Sequence, residues 1–347
     1  MLIPVLMLGI VLLLAFLGTV AVRRYALMRQ IMDIPNARSS HAKPTPRGGG
    51  VAIVAIYLLS LVVWNRLHGV PAGLFWSLLC GGGLIAFVGF WDDRSHLPAR
   101  VRFAVHLLVS VAAVFALGGW PTLDLGFDSI TWGPLGFILG VVGVTWAINL
   151  YNFMDGIDGL AGSQAVFVAG AAGWLLMLSG ADPMPLWLLA ASSAGFLLLN
   201  WPPARIFMGD AGSGFLGYAL GVHALQSTVT GTMNPWPWLI LLGVFCVDAT
   251  FTLLHRAWLR ICVTDAHRTH AYQWAARRCG SHKMVTLGIF AINLFILFPA
   301  ALCAAVFPHW AMLCTGFCLV GLVWLAWHFD AGVPEAHSRS AHGDDSC

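Results

Sequence analysis

Residues 2–22 read LIPVLMLGIVLLLAFLGTVAV, an unbroken apolar run that ends at Arg23-Arg24. A helix that spans a bilayer needs about 20 mostly apolar residues. Ten further runs of this kind follow, at approximately residues 49–66, 73–91, 101–118, 134–151, 160–178, 185–200, 211–228, 236–255, 284–305 and 309–329. The 347-residue chain is 59% hydrophobic and only 10% charged, whereas soluble domains average about 25% charged residues. The sequence therefore predicts a polytopic membrane protein with about eleven transmembrane helices.

The apolar runs are continuous, which distinguishes them from the alternating strands of a membrane barrel. In a bilayer the backbone of such a run must satisfy its own hydrogen bonds as a helix. We therefore expect an all-α fold, with residues 1–329 forming one integral membrane domain and residues 330–347 a polar, disordered tail. The basic pair after the first run, with no basic residue before it, favours a retained helix over a cleaved signal.

Lysine and arginine are concentrated in alternate loops. The loops after the first, third, seventh and ninth runs carry all of the 18 basic residues except Arg66 and Arg339. Because cytoplasmic loops are enriched in Lys and Arg, we expect the N-terminus outside and the C-terminus in the cytoplasm. No basic stripe is interleaved with aromatic residues, which argues against a nucleic-acid partner.

Five short polar clusters interrupt the apolar sequence, at residues 41–50, 91–93, 152–159, 207–213 and 265–273. Each lies just beyond the end of an apolar run, and the orientation above puts all five on the cytoplasmic side. Carboxylates beside a bilayer are costly and usually functional. This arrangement is typical of an enzyme that works at a membrane surface.

Two of the clusters are rich in carboxylates. Asp92 and Asp93 are adjacent, and neighbours on a helix point about 100° apart, so we expect the two to have different partners. Asn152, Asp155 and Asp158 are spaced three apart, which aligns them on one face of a helical turn. A solvated helix end for the first pair, and an N-terminal cap for the second group, are the alternative interpretations.

The remaining clusters add anion-binding groups. Asp210 stands between glycines at the start of the eighth run, where backbone amides could bind an anion, and Asn200, Arg205 and Phe207 share that connection. Arg and His donors suited to phosphate oxygens come from two further segments, and these contribute Lys43, Arg47, Asp265, His267, Arg268 and His270. A loop that is basic only because it is cytoplasmic remains possible for the last four.

Carboxylates, basic donors and glycine-rich backbone on one face are what Mg²⁺-assisted phosphoryl transfer requires. A hard cation takes a few carboxylate oxygens together with substrate phosphates, and Lys or Arg offsets the developing charge. We therefore expect Mg²⁺ as the cofactor, with Mn²⁺ as a possible substitute.

These five motifs, in this order, resemble those of the polyprenyl-phosphate N-acetylhexosamine-1-phosphate transferases, the MraY and WecA superfamily, over nearly the whole chain. The resemblance implies that undecaprenyl phosphate attacks the β-phosphate of a UDP-N-acetyl amino sugar and releases UMP. It implies a bacterial inner-membrane enzyme with a cytoplasmic active site, a bilayer partner and possible homodimers.

The resemblance also implies individual roles. Asp92 and Asp93 match the paired catalytic aspartates, with Asp92 as the base that deprotonates or orients the lipid phosphate and as a metal ligand. A covalent aspartyl intermediate is the alternative. The family's other roles fall on Asp210 as Mg²⁺ ligand, Asp155 as a catalytic residue of the Asn-x-x-Asp motif, and Lys43, Asn152, Asp158, Asn200, Phe207 and His270 as substrate-binding residues. Among these, Asp158 matches a nucleobase contact, Phe207 the ring that stacks on uracil, and Lys43 a basic residue near the phosphates. We add His267 and Arg268 to the substrate-binding residues as donors for phosphate oxygens.

Two departures from the family pattern concern the donor. Many members carry His-x-His-His in the last cytoplasmic loop, whereas here His270 is followed by Ala-Tyr-Gln; His96 also replaces a third acid after the aspartate pair. This loop resembles that of the O-antigen-initiating, WbpL-like members. We expect UDP-N-acetylfucosamine, its quinovosamine relative or UDP-GlcNAc as donor, in that order.

Membrane-embedded acids also mark transporters and intramembrane aspartyl proteases. Those classes predict ionisable residues inside the helices, and only Asp248 lies well within an apolar run. We expect Asp248 to form hydrogen bonds between helices. A sugar or ion transporter is kept as the alternative to the transferase.

Overall fold

The computed structural model describes residues 2–35, 43–95, 97–119, 122–125, 128–262 and 267–334. The α-helices in these ranges are α1 (Leu2–Met28), α2 (Gly50–His68), α3 (Ala72–Trp76), α4 (Gly82–Ser95), α5 (Ala99–Leu117), α6 (Pro134–Phe153), α7 (Leu160–Leu178), α8 (Met184–Asn200), α9 (Asp210–Val229), α10 (Pro235–Leu241), α11 (Gly243–Trp258), α12 (Ala271–Cys279), α13 (His282–Ile292), α14 (Phe298–Val306) and α15 (Pro308–His328). The all-α fold expected from the sequence is confirmed.

Strands are confined to two short antiparallel pairs in the connections. One pair joins β1 (Met32–Asp33) to β2 (Thr45–Pro46), and the other joins β3 (Thr122–Asp124) to β4 (Ser129–Thr131). The first pair matters for the site, because it holds the chain that leads from α1 into the polar segment before α2.

Each of the eleven apolar runs contains a helix, but several helices are interrupted. Within the described ranges, eight helical stretches are long and apolar enough to cross a membrane, and nine if the bent pair α10 and α11 is one span. Helix α8 has only 17 residues, and α9 is less apolar than the helices counted as spans. The protein is therefore a multi-pass membrane protein, while the count of eleven and the orientation stay predictions.

Two kinds of break shape the helices. π-Helical turns at Ser77–Gly81 and Asn293–Leu297 connect α3 to α4 and α13 to α14. The axes of α10 and α11 differ by 76° around Leu242. This bend gives α11 a direction of its own, and α11 carries the buried Asp248.

Large apolar side chains cover the outside of the helices. Examples on three different helices are Phe103, Phe115, Leu254 and Phe317, all of them more than half exposed. Contiguous apolar surface of this extent is rare on water-soluble monomers. It fits a molecule whose outer solvent is lipid.

Helix α9 is the centre of the bundle. It packs against α2, α4, α5 and α6, and 16 of its 20 residues are buried, so it faces protein on all sides. Its amino end carries Asp210, and the neighbouring α4 and α6 carry other residues of the predicted site. The burial of α9 therefore decides which polar residues meet.

Close contact between α9 and α6 depends on Gly217. A Cβ atom at this position would lie 2.2 Å from the backbone oxygen of Ala147, and backbone cannot move aside as a flexible side chain can. We expect Gly217→Ala to lower the free energy of unfolding by about 1–3 kcal/mol, the usual cost of overpacking. Thermal unfolding in detergent measures the effect.

Gly143→Ala is the matched control, because it makes the same change on α6 at a position where a Cβ meets nothing within 4 Å. Its melting temperature should equal that of the native protein or exceed it slightly, since alanine is the better helix former. Equal melting temperatures for the two variants would contradict the proposed contact.

Candidate active site

The contact between α4 and α9 brings three of the predicted aspartates together. Asp92 and Asp93 lie in the last turn of α4, and Asp210 is the first residue of α9. Gly89 permits this approach, because a Cβ there would lie 2.5 Å from the backbone carbonyl of Asp210. Carboxylates more than a hundred positions apart in the sequence therefore share one site.

Arg47 joins two of these carboxylates. Its Nη2 lies 2.7 Å from Oδ1 of Asp93 and 2.8 Å from Oδ1 of Asp210. Burial acts to lower the pKa of Arg47, but Asp210 and Asp93 outweigh it and raise that pKa. The guanidinium is thus a permanent positive charge between two acids.

Arg102, in the first turn of α5, makes a second bridge. Its Nη1 donates to Oδ2 of Asp92 and lies 3.3 Å from Oδ2 of Asp210. The other oxygen of Asp92 accepts the backbone N–H of Leu97 at 2.6 Å. Both oxygens of Asp92 are engaged, and Asp210 is held by two arginines.

Asp93 has different partners, as the sequence predicted for adjacent residues. Its Oδ1 accepts the backbone N–H of Asp210 at 3.1 Å, whereas its buried Oδ2 has no hydrogen-bond partner within the described residues. Gly209 leaves room for that oxygen, because a Cβ there would lie 2.5 Å from it and the backbone φ is +78°, a conformation that favours glycine. An unengaged carboxylate oxygen is available to a ligand.

The Asn-x-x-Asp motif approaches the cluster from the end of α6. Oδ1 of Asn152 accepts the hydroxyl of Ser213 at 3.1 Å, which ties α6 to the first turn of α9. Asp155 follows the end of α6, and burial, with the charges of Asp210 and Asp93, raises its pKa well above the ordinary range although Arg47 opposes the shift. A bound cation would favour the ionised form of this carboxyl.

The cluster has the donors of a magnesium site without a ready-made cage. Among the residues that the structure describes, no three His, Cys, Asp or Glu side chains are grouped as a metal site. Mg²⁺ is usually held by one or two carboxylates together with substrate phosphates and water. Asp92 and Asp210 fit that requirement, because Nη1 of Arg102 already places positive charge within reach of both.

A cavity of about 840 Å³ opens beside the carboxylates. Asp210 and Asn152 lie on its wall, together with Arg102, His267 and His270. The polar groups Arg100, His106 and Asn149 also face it, and so do apolar residues from four helices, including Ile85, Phe103, Ile148, Leu253 and Leu254. The cavity therefore combines a charged end with an apolar wall.

The histidine segment before α12 forms another wall of the cavity. Nδ1 of His270 lies 3.2 Å from Oδ1 of Asp248 on α11, and Nδ1 of His267 is 3.1 Å from the hydroxyl of Thr269. The backbone carbonyl of Thr269 accepts the N–H of Gly332 at 2.7 Å. The segment is thus held from α11 on one side and from the turn after α15 on the other.

The electrostatic surroundings of His267 favour its neutral form. Burial, with the nearby His270 and Arg256, lowers the pKa of His267 to about 4 although Asp248 opposes the shift. His267 is therefore a neutral imidazole at neutral pH. It can accept a hydrogen bond as well as donate one.

Asp158 and Asn200 hold backbone in this structure. Oδ2 of Asp158 accepts the N–H of Ala204 at 3.0 Å. Oδ1 of Asn200 accepts the N–H of Gly159, and its Nδ2 donates to the carbonyl of Ile206, both at 3.0 Å. Neither residue lines the 840 Å³ cavity, so their nucleoside contacts stay predictions.

Three other predicted substrate residues do not line this cavity. Phe207 is joined to the segment before α2, because its carbonyl accepts the N–H of Gly49 at 2.9 Å. Lys43 is exposed on that same segment, and the carbonyl of Arg268 accepts Nη2 of Arg277 at 3.0 Å. Within the segment before α2, Arg47 is the basic residue that reaches the carboxylates.

His96 and Asp265, which the sequence also singled out, lie outside the described residues. Sequence reasoning listed Arg47 among the phosphate-binding donors, but it gave no role in the site to Arg102, His106, Asn149 or Asp248. Arg102 had one available signal, since it lies in the first turn of the helix that follows the aspartate pair and Pro98. The roles of all predicted site residues stay predictions.

Comparison with known proteins identifies the family. The model of glycosyl transferase family 4 matches residues 75–228. The chain is 32% identical over 305 residues to the probable undecaprenyl-phosphate N-acetylglucosaminyl 1-phosphate transferase of Bacillus subtilis strain 168, covering 81% of this chain and 80% of that protein. It is 29% identical over 314 residues to the undecaprenyl-phosphate alpha-N-acetylglucosaminyl 1-phosphate transferase of Yersinia pestis, covering 84% and 82%.

A third relative is the decaprenyl-phosphate N-acetylglucosaminephosphotransferase of Mycolicibacterium smegmatis, which is 30% identical over 268 residues that make up 69% of this chain and 66% of that protein. The chain belongs to the polyprenyl-phosphate N-acetylhexosamine-1-phosphate transferase superfamily. The family predicted from the five motifs is confirmed, and the protein is an enzyme.

The hydrogen bonds of Asn200 predict a structural cost that is independent of any substrate. The residue is 3% exposed, so Asn200→Ala leaves two buried backbone groups without partners. We expect the free energy of unfolding to fall by about 1–3 kcal/mol, measured by thermal unfolding without ligands.

Asn65→Ala is the comparison variant, because Asn65 is partly exposed and accepts one backbone N–H, from Val70 at 2.8 Å. Its loss of stability should be smaller than that of Asn200→Ala. If Asn200→Ala were as stable as the native protein, the residue would be free for a purely nucleoside-binding role.

Proposed function

We propose that this enzyme transfers a sugar-1-phosphate from a UDP-N-acetyl amino sugar to undecaprenyl phosphate and releases UMP. The observation that carries the proposal is the gathering of Asp92, Asp93 and Asp210 around Arg47 and Arg102 at the edge of a cavity that also holds His267 and His270. The names of the relatives support the same reaction class.

The electrostatics of the cluster suit a diphosphate substrate. Two arginines offer fixed donors for phosphate oxygens, and the carboxylates offer oxygen ligands for a divalent cation. When the substrate arrives, the arginines can exchange carboxylate oxygens for phosphate oxygens, and a divalent cation held by the carboxylates would offset the charge that remains. The inventory therefore balances the charge of a diphosphate that would otherwise be repelled by the aspartates.

Mg²⁺, or Mn²⁺ in its place, would be held by Asp210 and Asp92 with substrate phosphates completing its coordination. When bound, the ion supplies neutralisation of the charge that develops on the transferring and leaving phosphates. The unengaged Oδ2 of Asp93 supports a further contact there, either with the cation or with the lipid phosphate.

The aspartate pair divides the work between two carboxylates. Both oxygens of Asp92 accept hydrogen bonds, from Leu97 and Arg102, which suits the orienting role among those predicted for it. Asp93 retains an oxygen for direct contact. Comparing the kinetics of Asp92→Asn with those of Asp93→Asn therefore tests the two roles separately. A residue that acts only in the transition state loses kcat without raising KM when it is replaced.

The acceptor lipid fits the apolar wall of the cavity. Phe103 on α5 and Leu254 on α11 line it and are more than half exposed, which supports this wall as the route of a polyprenyl chain to the carboxylates. The phosphate of the acceptor would then meet the cluster at the cytoplasmic ends of the helices. This placement requires the orientation predicted from the basic loops.

The donor sugar and the biological setting follow from the relatives and from the histidine segment. The relatives are N-acetylglucosaminyl transferases by name, which favours UDP-GlcNAc over the two donors ranked before it on the sequence. The altered histidine motif supports a first step of O-antigen or related surface-glycan synthesis at the inner membrane. A panel of three UDP-amino sugars, with UMP release as the readout, decides the donor.

Replacing the central carboxylate tests the reaction. We expect Asp210→Asn to lower Mg²⁺-dependent UMP release by on the order of 100-fold or more, since even residues that only support a metal ligand cost 10–100-fold. Chelation with EDTA should abolish release by the native protein, and excess Mg²⁺ should restore it. Purified protein, undecaprenyl phosphate and the donor panel suffice.

Asp182→Asn is the matched control, because Asp182 lies before the start of α8, a helix length away from Asn200 at its other end, and its oxygens accept hydrogen bonds from Trp64 and Met184. This variant should keep its UMP release. Full activity in Asp210→Asn would remove the metal assignment, and sugar uptake into vesicles without UMP release would support the transporter instead.

A further inference from the structure

Asp248 is a buried carboxylate that has no role in the reaction proposed above. It lies on α11 with 5% of its surface exposed. Its two oxygens accept four hydrogen bonds: Oδ1 from the N–H of Ala271 at 2.9 Å, the hydroxyl of Thr252 at 3.1 Å and Nδ1 of His270 at 3.2 Å, and Oδ2 from the N–H of Tyr272 at 2.9 Å. The hydrogen bonding between helices that the sequence suggested is present.

Two of these bonds anchor a helix. The N–H groups of Ala271 and Tyr272 are the first two of α12, and such groups have no partner within the helix itself. A carboxylate at this end also interacts favourably with the helix dipole. Asp248 therefore fixes where α12 begins, which explains how a buried charge is tolerated beside a bilayer.

The bond to His270 has a different consequence. An ionised carboxylate can only accept, so a hydrogen bond between the two side chains places the proton of His270 on Nδ1. Nε2 is then the ring nitrogen left for a ligand, and His270 lies on the cavity wall with Asn152 and Asp210. Tyr272 is close to the ring, at a centroid distance of 5.8 Å, which restricts its rotation.

We propose that Asp248 is a positioning residue for the transfer, acting through His270. It selects the Nδ1–H tautomer, aims Nε2 at the phosphates in the cavity, and stabilises the ring when Nε2 takes up a proton to donate to a phosphate oxygen. Carboxylate–histidine pairs of this geometry orient catalytic and ligand-binding imidazoles in other proteins. The inference rests on the proposed function, because that function supplies the phosphates.

A helix anchor alone would account for Asp248 without any effect on turnover, and the chain offers a control that separates the two roles. Thr252 donates to the same oxygen as His270 and is fully buried, but it does not line the cavity. Thr252→Val weakens the anchor and leaves the pair of Asp248 and His270 intact.

The decisive experiment is a double-mutant cycle on UMP release with Asp248→Asn, His270→Ala and the combined variant. We expect Asp248→Asn alone to lower kcat by about 10–100-fold, the range for residues that support a ligand-binding histidine, with a smaller effect on KM for the UDP-sugar. In the His270→Ala background the same change should cost less than about threefold, because interacting residues are not additive.

Thr252→Val should lower thermal stability and keep kcat. If the losses from Asp248→Asn and His270→Ala multiply in the combined variant, or if Thr252→Val loses kcat as much as Asp248→Asn does, the positioning role is wrong and Asp248 is a helix anchor.

A second measurement does not depend on turnover and so separates this inference from the proposed function. In protein labelled with ¹⁵N-histidine, the signal of His270 is assigned by its loss in His270→Ala. We expect the proton on Nδ1 in the native protein and a shift towards Nε2–H in Asp248→Asn. A native His270 with its proton on Nε2 alone would overturn the inference even if UMP release is observed.

Discussion

Three carboxylates share a small, partly buried volume in this protein, and two guanidinium groups supply positive charge that offsets their mutual repulsion. Arg47 comes from the segment before α2 and Arg102 from the first turn of α5, so the cluster joins three parts of the chain to the amino end of α9. Removing the positive charge would leave uncompensated acids at a low-dielectric site, where repulsion and desolvation are both costly. The carboxylates therefore need positive charge beside them. An arginine supplies it here, and a bound metal ion could replace an arginine in that role.

The position of α9 makes this meeting possible. A helix in the interior of a bundle can touch several neighbours at once. Gly217 on α9 admits the backbone of α6, and Gly89 on α4 admits the backbone of α9. Polar residues at the ends of those helices then converge without any long excursion of the chain. Larger side chains at these helix contacts would destabilise the fold, because each close contact allows little variation in side-chain volume.

The class of fold could be read from the sequence because the bilayer imposes one rule, that continuous apolar runs become helices. The interruptions could not be read in the same way. The bend at Leu242 and the π-helical turn after Trp76 lie inside apolar runs, where neighbouring helices and not local composition decide the backbone.

Much of the candidate site was also accessible, since Asp92, Asp93, Asn152 and Asp210 stand in recognisable motifs. Arginine was harder to place. Lys43 and Arg47 occupy one turn-rich segment, and only the paired strands β1 and β2 determine which of the two reaches the acids. Asp248 was visible as an isolated acid in an apolar run, but its partner histidine comes from another element, and no local pattern connects them.

The turn that follows α15 helps to hold one wall of the cavity in place. The N–H of Gly332 donates to the carbonyl of Thr269, and the carbonyl of Ala331 lies 2.7 Å from Nδ1 of His255. These contacts fix the segment that carries His267 and His270 to the end of the last helix. Removing this turn would break them. Affinity handles and crystallisation partners are therefore better attached beyond Pro334 by a pliant spacer than grafted directly onto the end of the final helix.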